Sequence, residues 1–166
     1  MGIYVDLVNG KVTSRYSLKQ YEGQTYYADG SPELAGLLLS DEIEKKCDAV
    51  DALHAVKQHE GFVFEGHRFE IDSGSQGKIG NLALRAALAA MGTPGISWMP
   101  LDFVTADNTI VTFATPAPFL PFANAAADAA QALFARRTAL KFALRAAASA
   151  EALAAIDIAT GWPVLA

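Results

Sequence analysis

The chain has 166 residues, and its 13 basic and 18 acidic side chains give a formal charge of −5 at pH 7. Hydrophobic residues make up 52% of the sequence, which excludes an intrinsically disordered protein. The acidic balance argues against a general nucleic-acid binder, and the single cysteine excludes an internal disulfide framework. Composition therefore predicts one domain, or one domain with a small appendage, and names no function.

Residues 1–30 predict a small antiparallel β-meander. Residues 3–8 and 11–16 are rich in strand-forming residues, and Asn9-Gly10 between them is a strong hairpin signal because both positions tolerate a positive φ. A turn at residues 22–24 predicts a further strand. Since two or three strands alone are marginally stable in water, this segment is expected to pack on the rest of the chain or to dock on another chain.

All five tyrosines of the chain lie in this β-rich N-terminal docking segment. Tyrosine offers a large, fairly rigid contact area with a polar hydroxyl, and it is enriched at protein interfaces. The five are therefore candidate interface residues, although they could equally fill the core of the predicted sheet. They are Tyr4, Tyr16, Tyr21, Tyr26 and Tyr27.

Residues 31–60 predict a helical connector. Ser31-Pro32 places a capping residue before a proline at the first helical position. Asp41, followed three residues later by Glu44, resembles a capping box and predicts a second helix start. Gly61 is a plausible C-terminal stop.

Residues 61–166 predict a compact domain of antiparallel hairpins packed against a long C-terminal helix and a short helix, so the fold class is α+β. The expected strands are 62–64, 67–71, 96–99, 103–105 and 109–113. A helix is expected from Asp72 to Gly92, where the side chains of residues 72–75 can cap it. The long helix follows the prolines at 116, 118 and 121, and Ser149 is expected to cap the short helix over 150–158.

An apolar seam with three- and four-residue spacing runs along the predicted long helix from Phe119 and Phe122 to Ala147. Packing within the chain and an interface with a second chain both explain it, so Phe119 and Phe122 are interface candidates. Arg136 and Arg137 interrupt the seam, and with neighbouring basic residues they form a modest patch. This patch is either a solvated face or a contact for an acidic partner.

The sequence contains no complete motif for binding a cofactor or a metal ion. Residues 74–78 resemble a phosphate-binding loop but lack its first glycine and the serine or threonine that holds magnesium. The histidines His54, His59 and His67 do not have the four-residue spacing that aligns two metal ligands on one helix face. The sequence therefore predicts neither a cofactor nor a metal site.

Signatures of catalysis are also missing. Ser73 and Ser75 follow His67 closely, but no nucleophile motif surrounds them. Asp102 and Asp107 could form a carboxylate pair only in a cleft that the sequence does not reveal, and Asp107 is explained by turn formation. We therefore predict no catalytic residue and a protein that is not an enzyme.

The chain from Glu60 onward resembles a domain-of-unknown-function family encoded in tail-fibre, baseplate and neighbouring tail genes of tailed bacteriophages and prophages. The resemblance covers roughly the C-terminal two-thirds of the chain. It implies no established catalytic residues. The residues that carry it are Gly61-Phe62, residues 66–69, Asp72 with Ser75 and the helix at Ile79, Trp98, Asp107-Asn108 and the strand to Phe113, Phe134 through Lys141, Ala146-Ala147, Glu151 and the closing Gly161-Trp162-Pro163.

The resemblance implies a structural or accessory protein of the phage tail, in the tail fibre or baseplate, that acts through protein–protein interactions. Such a protein would be made in the host cytoplasm and carried in the virion, with other tail proteins as partners and oligomeric in the assembly. The acidic composition and the charges that interrupt the most apolar stretch, residues 119–155, separately predict no binding to nucleic acid or to a membrane. The alternative is a tail-fibre assembly chaperone that leaves before the virion is complete, which the acidic N-terminal half would suit. A wall- or polysaccharide-degrading tail hydrolase is a third class that no residue supports.

Overall fold

The structure, a computed structural model, describes residues 2–17 and 19–165 and confirms the α+β class. Packing divides the chain into two units, each made of two stretches of sequence. Unit 1 comprises Met1–Val50 and Leu140–Ile158, and unit 2 comprises Asp51–Ala139 and Ala159–Ala166. The division into segments 1–30, 31–60 and 61–166 stays a prediction. The elements are β1 (Gly2–Val8), β2 (Lys11–Tyr16), β3 (Thr25–Ala28), α1 (Pro32–Glu60), β4 (Phe62–Phe64), β5 (His67–Phe69), α2 (Ser73–Ala90), β6 (Leu101–Val104), β7 (Ile110–Phe113), α3 (Pro116–Arg145) and α4 (Ala150–Ala154).

The N-terminal strands of unit 1 form one antiparallel sheet in the order β2-β1-β3, so β1 lies in the centre. Asn9 and Gly10 have φ values of 54° and 78°, which confirms the predicted hairpin. Val5 and Val12 on one face of the sheet are buried with Leu34 of α1. The sheet therefore obtains its core from the start of α1, as the marginal stability of isolated strands requires.

Helix α1 begins where the sequence predicts. The Ser31 hydroxyl accepts a hydrogen bond from the backbone N–H of Leu34 at 3.1 Å, Pro32 is the first helical residue, and Gly61 follows the last one with a φ of 70°. The predicted second start at Asp41 is wrong, because the helix runs through this position without a break. The Asp41 carboxylate pairs with Lys45 Nζ one turn later, at 2.8 Å, instead of capping a new helix.

Two antiparallel hairpins form the β part of unit 2. Glu65 and Gly66 make the β4–β5 turn with positive φ angles, and Asn108 does so in the β6–β7 turn. The expected strand at 96–99 is wrong, because this segment is irregular and β6 begins only after Pro100. Proline has no N–H to donate to a ladder, and the indole of Trp98 bonds to the carbonyl of Phe113 at 3.0 Å instead.

Capping residues mark the start and the end of helix α2 in unit 2. Asp72 caps α2 by accepting the N–H of Ser75 at 2.8 Å, and Gly92 lies just beyond the end of the helix. Aromatic rings from both hairpins and from the start of α3 form the centre of the core. The largest buried side chains of this cluster are Phe62, Phe69, Ile71, Ile79, Phe103, Phe113, Phe119, Phe122 and Leu133.

The residues that follow α3 contribute to both units. Ser149 caps α4 in unit 1 as predicted, but the helix ends at Ala154 and not at Ile158. In unit 2 the backbone N–H of Val63 donates to the carbonyl of Leu165 at 3.1 Å. Across residues 2–17 and 19–165, no helix combines the length and the apolar character that a membrane crossing requires.

Candidate functional site

The strand register of unit 1 brings three of the predicted interface residues into one row. Tyr4 on the central strand lies opposite Tyr16 of β2 on one side and opposite Tyr26 of β3 on the other. Directly opposed residues share a face of the sheet, so the three side chains lie side by side. The rings of Tyr4 and Tyr26 have their centroids 5.1 Å apart and are tilted by 54°. Gly2 leaves room for this arrangement, because a Cβ there would lie 2.6 Å from a ring carbon of Tyr26.

A carboxylate lies beside this row of rings. Asp6 is two residues after Tyr4 on β1 and therefore shares its face. The hydroxyl of Tyr21 donates a hydrogen bond to Asp6, and this bond is the main reason that the pKa of Asp6 lies below its usual range. Further donors are the Tyr16 hydroxyl and the amide of Gln24, which lies 3.0 Å from the carboxylate. The same bond to Asp6 raises the pKa of Tyr21.

We call Tyr4, Tyr16, Tyr21, Tyr26 and Asp6 the tyrosine face. Tyr21 and Tyr26 are each 54% exposed, while Tyr4 and Tyr16 are half-buried. Large aromatic surfaces and hydroxyl groups are thus presented together around one negative charge. Amphipathic aromatic side chains of this kind supply much of the contact area in protein interfaces.

The fifth tyrosine has a different position. Tyr27 lies on the opposite face of the sheet and packs, half-buried, against the cluster of Val5, Val12 and Leu34. Strand alternation explains the difference, because Tyr26 and Tyr27 are neighbours in β3 and must point to opposite faces. The sequence left open whether the tyrosines fill the core or lie at the surface. Tyr27 packs against the core, whereas Tyr21 and Tyr26 are exposed.

Phe119 and Phe122 on α3 are fully buried in unit 2. The Phe122 ring contacts rings of both hairpins, for example Phe69 at 4.8 Å and Phe113 at 4.9 Å between centroids. Neither side chain has exposed surface to offer to a second chain in this structure. This part of the apolar seam therefore packs within the chain.

The two arginines that interrupt the seam hold other parts of unit 2. Arg136 donates to the carbonyl of Thr160 at 2.7 Å, and Arg137 Nε lies 2.6 Å from Asp51 Oδ1. The guanidinium of Arg136 covers Gly161, where a Cβ would lie 2.9 Å from Nη2. Both side chains thus have structural partners, which the regular spacing of the predicted seam did not reveal.

A cleft of about 410 Å³ in unit 2 contains several of the residues that were tested for chemistry. Lys78 and Asp102 line it, and the Lys78 ammonium lies 4.8 Å above the ring of Phe103. The residues that line the cleft do not include Asp107. Its carboxylate accepts hydrogen bonds from the hydroxyls of Thr105 and Thr109, which lower its pKa and fix the β6–β7 turn. The structure thus assigns Asp107 to the turn and does not pair it with Asp102 in the cleft.

Unit 1 also contains an apolar groove of about 740 Å³ that was not predicted from the sequence. One wall is the first half of α1, including Leu38 and Leu39, and the other is formed by residues 148–154 with Leu153. Lys46 fixes the second wall, because its Nζ donates to the carbonyl of Leu153 at 2.7 Å. The groove therefore has a mainly apolar lining, and the Lys46 hydrogen bond links its two walls.

The profile of a protein family described as Domain of unknown function (DUF4376) matches residues 41–160. The matched region begins within α1 and excludes the N-terminal sheet, and with it the tyrosine face. The chain has no significant match among curated proteins or among solved structures.

Proposed function

This chain belongs to the DUF4376 family, and on that premise we propose that it is a structural or accessory protein of a bacteriophage tail, in the tail fibre or baseplate. Its role is to bind other tail proteins. The link to phage tails rests on the resemblance described in the sequence analysis, carried by motifs such as Gly161-Trp162-Pro163. The tyrosine face is the observation that supports a binding role.

The position of the tyrosine face in the chain supports a division of labour. The face lies on a sheet formed by residues 2–28, before the region shared with the family. In our proposal the family region is the part that this chain shares with other family members, and the N-terminal sheet selects the tail protein to which this chain docks. Tyr21 and Tyr26 are the anchors, since they expose the most ring surface and exposed aromatic anchors contribute strongly to binding.

Mass spectrometry of purified phage particles tests the proposal. We expect the wild-type protein in the particles at a fixed ratio to the tail proteins. A double variant, Tyr21→Ala with Tyr26→Ala, should fold but be incorporated at least tenfold less. The matched control replaces two exposed apolar residues of unit 2, Leu84→Ala with Met91→Ala, and should be incorporated normally.

Absence of the wild-type protein from the particles, with abundant protein in infected cells, would contradict a virion role. Equal incorporation of the tyrosine variant and the control would contradict the docking role of the tyrosine face. The two failures are distinguishable, because the first concerns the location of the protein and the second concerns its surface.

A tail-fibre assembly chaperone is the second candidate, and the apolar groove of unit 1 favours it. A groove lined by Leu38, Leu39 and Leu153 offers cover for an apolar segment of an unassembled fibre. In this case the protein would be absent from particles, and its co-expression with the fibre protein should raise the yield of soluble fibre trimer. Leu39→Glu should abolish that gain, whereas Leu84→Glu, on an exposed position of unit 2, should not.

A further inference from the structure

Three side chains with metal-binding groups come together at one end of the β4–β5 hairpin in unit 2. His59 lies in the last turn of α1, Glu70 directly follows β5, and Asp72 is the N-cap of α2. The hairpin between His59 and Glu70 pairs its two ends, so residues eleven positions apart become neighbours. One ligand atom from each of the three residues lies within 4.8 Å of the other two.

One pair in this cluster already has the separation of two ligands of a tetrahedral cation. His59 Nδ1 and Glu70 Oε2 are 3.4 Å apart, which is longer than the usual hydrogen bond of about 2.7–3.2 Å. Zinc bonds to nitrogen and oxygen of about 2.0–2.1 Å give a tetrahedron with edges of about 3.3–3.4 Å. The pair is therefore already at the separation of two zinc ligands.

The remaining adjustment is within reach of the side chains. The side chains of His59 and Glu70 are 63% and 47% exposed, so both can rotate without disturbing a core. Asp72 is held in place, because its Oδ1 accepts the N–H of Ser75 at 2.8 Å. A carboxylate has more lone pairs than this bond uses, and metal-ligating carboxylates are commonly oriented by such hydrogen bonds.

We propose that His59, Glu70 and Asp72 form a site for a divalent cation of zinc type. A neutral imidazole and two carboxylates bring two negative charges, which match the charge of the ion. The imidazole favours zinc over calcium or magnesium, whose sites are built from oxygen ligands. Three protein ligands leave the fourth position to water. Bound zinc would join the end of α1, the exit of the hairpin and the start of α2. This inference is independent of the proposed tail function.

Zinc titration of the untagged full chain, freed of metal with EDTA, tests the site by isothermal calorimetry and thermal unfolding. We expect the wild-type protein to bind one equivalent of zinc, to unfold at a higher temperature when loaded, and to show no such response to calcium. His59→Ala and Glu70→Gln should each weaken zinc binding at least tenfold and remove the thermal shift. His67→Ala is the matched control, since it removes a histidine of the adjacent β4–β5 hairpin that is not in the cluster, and it should leave binding unchanged.

Visible absorption spectra of cobalt bound in place of zinc report the coordination geometry of the metal. Wild-type protein should give the intense bands of tetrahedral cobalt, and these bands should be lost in His59→Ala. The proposal is overturned if the wild-type chain shows neither zinc binding nor a thermal shift, if His59→Ala binds as the wild type does, or if His67→Ala loses binding equally. Should His59→Ala fail to fold, the comparison of Glu70→Gln with His67→Ala decides.

Discussion

Replacing Phe122 by alanine tests whether the start of α3 is the centre of the unit 2 core. The side chain is fully buried, and aromatic partners surround it on several sides. Six phenylalanine rings have their centroids 4.8–5.7 Å from that of Phe122. These rings belong to Phe62, Phe64, Phe69, Phe103, Phe113 and Phe119.

The expected loss in the free energy of unfolding has two parts. Exposing a buried aromatic side chain costs about 1.5–3 kcal/mol in transfer free energy. The missing ring leaves a void of roughly 80 Å³, which adds about 2 kcal/mol at about 24 cal/mol per Å³ if the site does not collapse. We therefore expect Phe122→Ala to destabilise unit 2 by about 3–5 kcal/mol. Phe122→Leu, which fills much of the space, should cost about 1–1.5 kcal/mol.

Urea unfolding followed by tryptophan fluorescence measures this loss selectively. Both tryptophans, Trp98 and Trp162, belong to unit 2, whereas all five tyrosines belong to unit 1. Phe134→Ala is the control on the same helix, because its ring is 56% exposed and its loss should cost less than about 1 kcal/mol. A cost below about 1 kcal/mol for Phe122→Ala, or an equal cost for the control, would refute the assignment of this core.

Three further predictions concern the backbone, a hydrogen bond and a cap. Gly61→Ala should destabilise the protein by more than Gly66→Ala in urea unfolding. Both glycines have a positive φ, but only at Gly61 would the new Cβ meet the backbone, 2.6 Å from the carbonyl carbon of Phe69. Equal losses of unfolding free energy for the two variants would contradict this prediction. Asp6 has a lowered pKa, so its hydrogen bonds stabilise the fold above the unfolded pKa of about 3.9, and this stability is lost as pH falls through the folded value. Asp6→Asn should therefore weaken the dependence of the unfolding free energy on pH at acidic pH. It should also lower the pKa of Tyr21 toward its ordinary value, as measured by absorbance titration of the tyrosinate. An unchanged Tyr21 pKa would contradict the hydrogen bond between Tyr21 and Asp6. Ser31→Ala should cost about 1 kcal/mol in thermal unfolding followed by circular dichroism, because it removes the N-cap of α1, and Ser31→Asp should restore most of it.

The sequence predicted the hairpin turns and helix starts well where the residues at the turn or cap determine the local structure. Asn9-Gly10, Ser31-Pro32 and Asp72 each act through their own backbone or side chain, so a single sequence reveals them. Asp41 misled the prediction because its side chain has two compatible uses, a cap or an ion pair with Lys45, and only the continuous helix decides between them.

Signals that depend on distant contacts could not be read in the same way. Strand alternation predicts that Tyr4 and Asp6 share a face, but the packing of α1 on the other face decides which face is exposed. Likewise, the spacing of His59 to the other histidines argues against a metal site, because it considers histidine ligands alone. Its neighbours Glu70 and Asp72 follow the hairpin, so the pattern that corresponds to the proposed zinc site is a histidine and two carboxylates at the two ends of a predicted β-hairpin.

The discontinuous units have a consequence for synthesis on the ribosome. Domains usually fold from the N-terminus as the polypeptide emerges, at about 5–20 residues per second. Here unit 1 needs Leu140–Ile158 and unit 2 needs Ala159–Ala166, so neither can be completed before nearly all of these residues have left the exit tunnel. A fragment limited to the family region, residues 41–160, would lack the N-terminal sheet of unit 1 and, in unit 2, the segment whose Leu165 carbonyl accepts the backbone N–H of Val63. Such a fragment should therefore be made as a poorly folded, protease-sensitive product.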